Sequence, residues 1–226
     1  MHQQAEAFGQ IVRSRRSMRE FLPEPVSPGL ITAVLDDAQQ APSNCNTQPW
    51  QVHVVSGSKR DELAAALIEA DARGAFSPDY YFDMSDYPEL YAGRAKSSAK
   101  ARYDAIQVDR DDAAGRHKAM QLNLEFFGAP HVALLFMPPL GDSVRVASDM
   151  GMYGQTFLLS LTAHGLAGIP QTLLGMYADT VRATLGIDPQ WKMLFGISFG
   201  YADRLAAANN MVVGRIPLTG SVTFHQ

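Results

Sequence analysis

Apolar and polar positions follow two periods along this chain. In residues 3–14, Phe8, Ile11 and Val12 recur at helical spacing and share one face. Ser27-Pro28 reads as the start of a second helix, a serine cap followed by proline at the first helical position. Leu30, Ile31, Val34, Leu35 and Ala38 continue that helix, which stops before Pro42. Gln51 to Val55 reads as a strand, and Ser56-Gly57-Ser58 as a turn and cap into a helix carrying Leu63, Ala66 and Leu67. Leu122 to Phe127 reads as the end of a helix. His131 to Phe136 and Met193 to Phe199 are dense apolar runs of the buried-strand type. Residues 144–165 carry the longest helical signal. Met150, Phe157, Leu158 and Leu161 are apolar there, while Gly151, Gly154, Ser160 and Ala163 are small enough for close approach to a neighbour. Gly168 to Gln171 is a short segment, 178–185 a helix ended by Gly186, and Ser221 to His225 a last short strand.

Three or four strands separated by helices predict an α+β fold. Residues 76–118 break the pattern: they are rich in Tyr, Asp and Arg, carry Pro78 and Pro88, and show weak periodicity, although 89–107 can hold a helix. We expect one domain over 1–226 with a lid insertion at 76–118. The aromatics Phe76, Tyr80, Tyr81, Phe82, Tyr87 and Tyr91 suit it to flat substrates, on a segment expected to be mobile. Residues 203–226 have only a sparse core of their own and are expected to lie along another surface, such as that of a partner subunit.

Composition narrows the possibilities. Hydrophobic residues make up 46% and charged residues 19%, enough apolar side chain for an ordinary buried core. The net charge of −4 argues against general nucleic-acid binding, which needs a basic face. No apolar run reaches the length of a spanning helix, and the Arg-rich opening residues lack the apolar core of a signal peptide. Cys45 stands alone, so no intrachain disulfide can form, and the chain is expected to be cytoplasmic. In its loop it is expected to be a small packed thiol. The histidines show no metal-ligand spacing, and Gly196 to Gly200 lacks the dinucleotide fingerprint, so neither a metal nor a Rossmann site is expected. Asp149 reads as a cap or an interface polar bond.

Two segments carry candidate chemistry. Arg15, Arg16, Ser17 and Arg19 supply guanidinium forks and a hydroxyl, the donors a phosphate dianion needs. In an extended segment Arg15, Ser17 and Arg19 share a face and Arg16 points elsewhere. Alone, such a cluster is more often a solvated basic turn after a helix. The second segment is Pro42-Ser43-Asn44-Cys45-Asn46-Thr47-Gln48-Pro49-Trp50, whose prolines hold it extended and whose amides can aim at a flat heterocycle. Alone, it reads as an ordinary helix-to-strand connection.

Taken together, Arg-Arg-Ser followed by Pro-Ser-x-x-Asn-x-Gln-Pro-Trp resembles the N-terminal signature of the FMN-dependent nitroreductase family. Phe126-Phe127-Gly128-Ala129-Pro130, then Gly165 to Thr172, then Gly196 to Asp203 with Asn209 or Asn210 and Arg215, resemble its later motifs in order. The resemblance covers nearly all of the chain outside 76–118. It implies a central, mainly antiparallel sheet flanked by helices, in an intertwined homodimer with FMN at the interface. It implies FMN contacts from Arg15, Arg16, Ser17 and Arg19, with Arg215 completing the phosphate site and Arg19 near flavin N1–C2=O. Pro42, Ser43, Asn44 and Asn46 match the loop contributed by the other subunit. Pro170, Gln171 and Thr172 match the segment along the isoalloxazine ring, where a backbone N–H meets N5, and Asn123 matches a further ring contact. Val213 stands where the better-known branch has Lys.

The implied activity is ping-pong, two-electron reduction of nitroaromatics, quinones or related small acceptors at the expense of NADPH or NADH. With the flavin carrying the chemistry, no catalytic side chain is required. A reductive dehalogenase of the same fold and a flavin-binding protein without turnover are the alternatives. The first is disfavoured because 76–118 holds no Glu-x-x-x-Tyr pair.

Overall fold

The computed structural model describes residues 2–226. Seven α-helices and a four-stranded sheet make up the described chain. The helices are α1 (His2–Ser14), α2 (Pro28–Ala38), α3 (Gly57–Ala72), α4 (Glu89–Ala105), α5 (Ala113–Gln121), α6 (Val144–Ala163) and α7 (Ala178–Leu185). The strands are β1 (Gln51–Ser56), β2 (His131–Met137), β3 (Ala167–Gln171) and β4 (Lys192–Gly200). Their order is β1-β2-β4-β3, and every neighbouring pair is antiparallel.

The sheet is buried on both faces, which explains the unbroken apolar runs of β2 and β4. Alternate residues of β2 point to opposite cores. Val132, Leu134 and Phe136 join Leu63, Leu67 and Val181 from α3 and α7. Ala133, Leu135 and Met137 join Val34, Met150 and Phe157 from α2 and α6. Each side chain of this size contributes about 1.5–3 kcal/mol when fully buried. A one-residue slip of β2 would exchange the two sets and fill neither space well.

Local signals explain the element boundaries. Ser27 accepts the Leu30 N–H on its side chain and caps α2, with Pro28 in the first turn. Gly186 closes α7 in the left-handed region at φ 66°, where a β-carbon is strained. Gly154 lets α6 press onto β4: a β-carbon there would meet Phe195 Cζ at 2.8 Å.

Several expectations are corrected. Ser221 to His225 forms no strand; Leu218–Gly220 makes a single 3-10 turn and the residues after it are exposed. A strand needs a neighbour to hydrogen-bond, and this chain offers none there. The 42–50 loop is not simply extended. Asn44–Asn46 forms a 3-10 turn, with Cys45, Asn46 and Gln48 at positive φ. Cys45 is exposed and not packed. α5 ends at Gln121, and the chain then turns through Phe126 and Phe127, both at positive φ.

Residues 76–118 hold α4 and most of α5, and the start of the segment is anchored. Asp79 is buried beside Arg182, accepting from its guanidinium at 2.6 and 3.1 Å and from the Met193 N–H at 2.8 Å. Ser77 donates its N–H to Met176 and accepts that of Asp179. Phe76 packs on Tyr177, ring centroids 5.4 Å apart. The mobile segment expected from prolines and charges is thus pinned at its entry, because its polar residues find buried partners that are remote in sequence.

Candidate active site

β3 is an edge strand, and the segment after α1 runs along its open side. Ser17 bridges Gly168 in parallel, and Phe21 bridges Ala202. This pairing brings the arginine segment to the strand that carries Pro170 and Gln171. A cavity of about 540 Å³ opens there, lined by Arg15, Arg16, Ser17, Arg19, Ser98 and Arg215, with Met211. Residues from α1's end, from α4 and from the C-terminal segment thus meet in one place.

The cavity is strongly positive. None of Arg15, Arg16, Arg19 or Arg215 pairs with a carboxylate among the described residues. Burial, then the neighbouring Arg215, pulls the Arg15 pKa down. Burial, then Arg102, pulls that of Arg19 down to about 10. Partly desolvated cations without counter-charges favour an incoming anion, because it removes their repulsion.

The arginines have different jobs. Arg16 donates to the carbonyls of Asn209, at 3.1 Å, and Met211. It holds the C-terminal segment against the cavity, and it lines that cavity together with Arg15 and Arg19, so the three arginines do not divide between two faces as an extended segment predicts. Arg19 donates to the Ser17 carbonyl at 3.3 Å and lies 3.7 Å from Met211 Sδ. Arg215 is exposed and donates only to the carbonyls of Val213 and Gly214. Arg15 makes no side-chain hydrogen bond among the described residues, so its fork is free for a ligand.

Asn209 ties this arrangement together. It is only 5% exposed, and its side chain donates to the carbonyls of Glu20 and Asp203, each at 2.7 Å. Sequence reasoning saw Asn209 only as part of a motif shared with Asn210, and it missed Ser98 entirely. Ser98 lies on α4, inside the segment whose periodicity is weakest; no local signal marks it.

Pro170 of β3 and Thr172, the first residue after it, are exposed. Gln171 is 3% exposed and its amide is spent inside: Nε2 donates to the Asn123 carbonyl at 2.8 Å, and Oε1 accepts from Ser198 Oγ. Of Gln171, only backbone remains for a ligand at this edge. Asn123 Nδ2 donates to the Met120 carbonyl at 3.0 Å, so it too is partly engaged within its own turn. Thr172 also lines a second, apolar cavity of about 320 Å³ with Tyr80, Tyr81, Phe82 and Met176. The start of the insertion therefore adjoins the exposed end of β3.

The 42–50 loop lies elsewhere. Asn44 donates its N–H to the buried Asp149 of α6 at 3.0 Å, and Ser43 Oγ accepts the Gln48 N–H at 2.9 Å. Pro42, Asn44 and Asn46 are exposed and do not line the arginine cavity. Within one chain the two sequence segments stay apart.

Residues 12–201 match the family described as "Nitroreductase family". The chain belongs to the nitroreductase family. Nitroreductase NfnB of Mycolicibacterium smegmatis is 42% identical over 220 residues, covering 97% of this chain and 93% of that protein. A 4-nitrobenzoate reductase of Pseudomonas putida is 34% identical over 219 residues, covering 96% of this chain and 95% of its own. The solved structure of the FMN-dependent nitroreductase NfnB from Mycobacterium smegmatis in complex with NADPH superposes with a TM-score of 0.95, covering 99% of this chain and 100% of that one. The NfnB structure shares the α+β architecture, and the similarity runs through the 76–118 segment that no recognised motif covers.

Proposed function

We propose that this protein is an FMN-dependent NAD(P)H oxidoreductase that reduces nitroaromatic or related small acceptors. The observation that carries this reading is the arginine cavity without carboxylates beside the exposed end of β3. A flavin mononucleotide needs both halves: donors for a phosphate and an open backbone edge for a planar ring. Bound FMN would supply hydride acceptance and donation at N5. Arg15 and Arg215 would hold the phosphate with Ser17, Arg16 would keep the C-terminal segment in place, and Arg19 would face the pyrimidine edge of the ring. Asn123 and the backbone of Pro170, Gln171 and Thr172 would line the ring.

The functional unit is a homodimer. Phe8 of α1 is 61% exposed and Phe224 of the C-terminal segment 76%, and Val212, Ile216 and Leu218 are exposed between them. Apolar area of this kind suits a large obligate interface. A second copy would bring Pro42, Ser43, Asn44 and Asn46 to the cofactor that the first copy holds. The chain acts as one domain, with 76–118 as a lid that selects the acceptor. No described helix is long and apolar enough to cross a membrane, and the lone free thiol fits a cytoplasmic site.

The test is direct. Purified protein should release about one FMN per chain on denaturation. NADPH or NADH should bleach the bound flavin, and 4-nitrobenzoate should restore its colour. Protein that contains no flavin and takes none up overturns the reading. Bleaching without recovery, with any of a panel of nitroaromatics, quinones and halophenols, would favour a flavin-binding protein without turnover.

A further inference from the structure

Within one chain, α4 is weakly attached to the rest of the fold. None of its 17 residues is buried. A helix of a globular protein normally turns an apolar stripe to the core. The half-buried positions Ala92, Ala95, Ser98, Arg102 and Ala105 recur at three- and four-residue spacing and mark the inner face of α4. Most of them are alanines, whose methyl groups bury little area. The last turn is tied down through Arg102, which donates to the Ala119 carbonyl and lies 5.7 Å over the ring of Phe127. Ser98 stands one turn earlier on the same face.

Ser98 lines the arginine cavity beside Arg15, Ser17 and Arg215. Its neighbour Ser97 donates its hydroxyl back to the Gly93 carbonyl at 3.0 Å, an ordinary bond for a serine inside a helix. The Ser98 hydroxyl makes no hydrogen bond among the described residues, although the residue is half-buried. A free donor thus stands in the wall of a cavity lined by arginines and by no carboxylate. A phosphate dianion carries three strongly accepting oxygens, more than one guanidinium fork satisfies. A hydroxyl adds a donor without adding to the repulsion among the cations.

We propose that the Ser98 hydroxyl donates to the phosphate of bound FMN and thereby fastens α4, the first helix of the 76–118 segment, to the cofactor. The proposal rests on the FMN-dependent reading above. Ser98 belongs to none of the segments that carry the family resemblance. The bond adds affinity for FMN and none for riboflavin, which lacks the phosphate. It also gives α4 the second attachment that its alanine-rich inner face does not supply. A helix held by few buried contacts opens locally at little cost, so one added tie is felt along it. The segment expected to select the acceptor is therefore firmer when the cofactor is bound.

The experiment compares the full-length wild type with Ser98→Ala. Each protein, stripped of flavin, is titrated with FMN and with riboflavin by fluorescence. Amide hydrogen exchange over Glu89–Ala105 is then followed at saturation with either flavin. Alanine is a better helix former than serine, so S98A removes the hydroxyl without weakening the helix. S98A should lose FMN affinity about tenfold or more and riboflavin affinity less than about threefold. In the wild type, FMN should slow exchange in α4 more than riboflavin does. In S98A the two flavins should protect α4 equally. An S98A chain with the parent's FMN affinity overturns the proposal, and so does an equal loss for the two flavins. A wild-type α4 that FMN protects no better than riboflavin overturns it as well, whatever S98A does. An S98A chain that no longer folds assigns Ser98 to packing and has the same force. A wild-type chain that binds neither flavin overturns the functional reading itself.

Discussion

Asn209 Oδ1 accepts the backbone N–H of Arg19 at 2.6 Å, across 190 residues of chain. The same side chain grips Glu20 and Asp203, and Arg16 grips the Asn209 carbonyl in return. This reciprocal clamp sets the C-terminal segment, and with it Arg215, opposite Arg15. Asn209 is thus a positioning residue for the cavity without lining it.

Asn209→Ala should cost about 1–3 kcal/mol of stability, because it strands buried donors and acceptors. It should also weaken FMN through Arg215. In a double-mutant cycle with Arg215→Ala, the two losses in FMN affinity should fall short of additive by about 0.5–3 kcal/mol. Strict additivity would show that Arg215 reaches the cavity unaided.

Arg15→Ala should weaken FMN by about 1.5–3 kcal/mol, the range for hydrogen bonds to charged groups. Riboflavin, which lacks the phosphate, should bind almost unchanged. Fluorescence titration of both ligands checks this, and an equal loss for the two would place Arg15 away from the phosphate.

Asp79→Ala should destabilise the fold by about 3–5 kcal/mol. It leaves Arg182 buried at 8% side-chain exposure without its main partner. The Met193 N–H loses its acceptor in the same change. Urea unfolding measures the loss. A cost under about 1 kcal/mol would mean that the entry of the 76–118 segment is not fastened there.

His131 makes stability depend on pH. Its Nε2 accepts the Val26 N–H at 2.9 Å, so the neutral ring carries its proton on Nδ1, 2.5 Å from Ser56 Oγ. Burial lowers the pKa of His131, and of His53 on β1. Below about pH 6.5 the unfolded chain then binds more protons than the folded one, and stability falls as pH falls. The slope is at most about 1.4 kcal/mol per pH unit for each histidine. His131→Asn should flatten the melting-temperature profile between about pH 7 and 5, where an unsubstituted histidine titrates. An unchanged profile would assign the acid sensitivity to His53 or to other groups.

The sequence alone determined the elements whose stability is local or periodic. Ser27-Pro28 sets the start of α2, Gly186 the end of α7, and the apolar runs of β2 and β4 declare strands buried on both faces. That Arg15, Arg19 and Arg215 belong together was legible only through the order of motifs that resembles the nitroreductase family, and the structure lines one cavity with all three. Only the tertiary structure decided how these residues are used. It showed Arg16 bound to backbone carbonyls, Gln171 turned inward to Ser198 and Asn123, and Ser98 brought to the cavity from a weakly patterned helix. It also separated the Asn44 loop from the arginines within one chain. The reason is physical: helix caps and strand alternation depend on neighbours a few residues away. Which way a polar side chain turns depends on partners such as Asp79 and Arg182, 103 positions apart, that only the folded chain brings together.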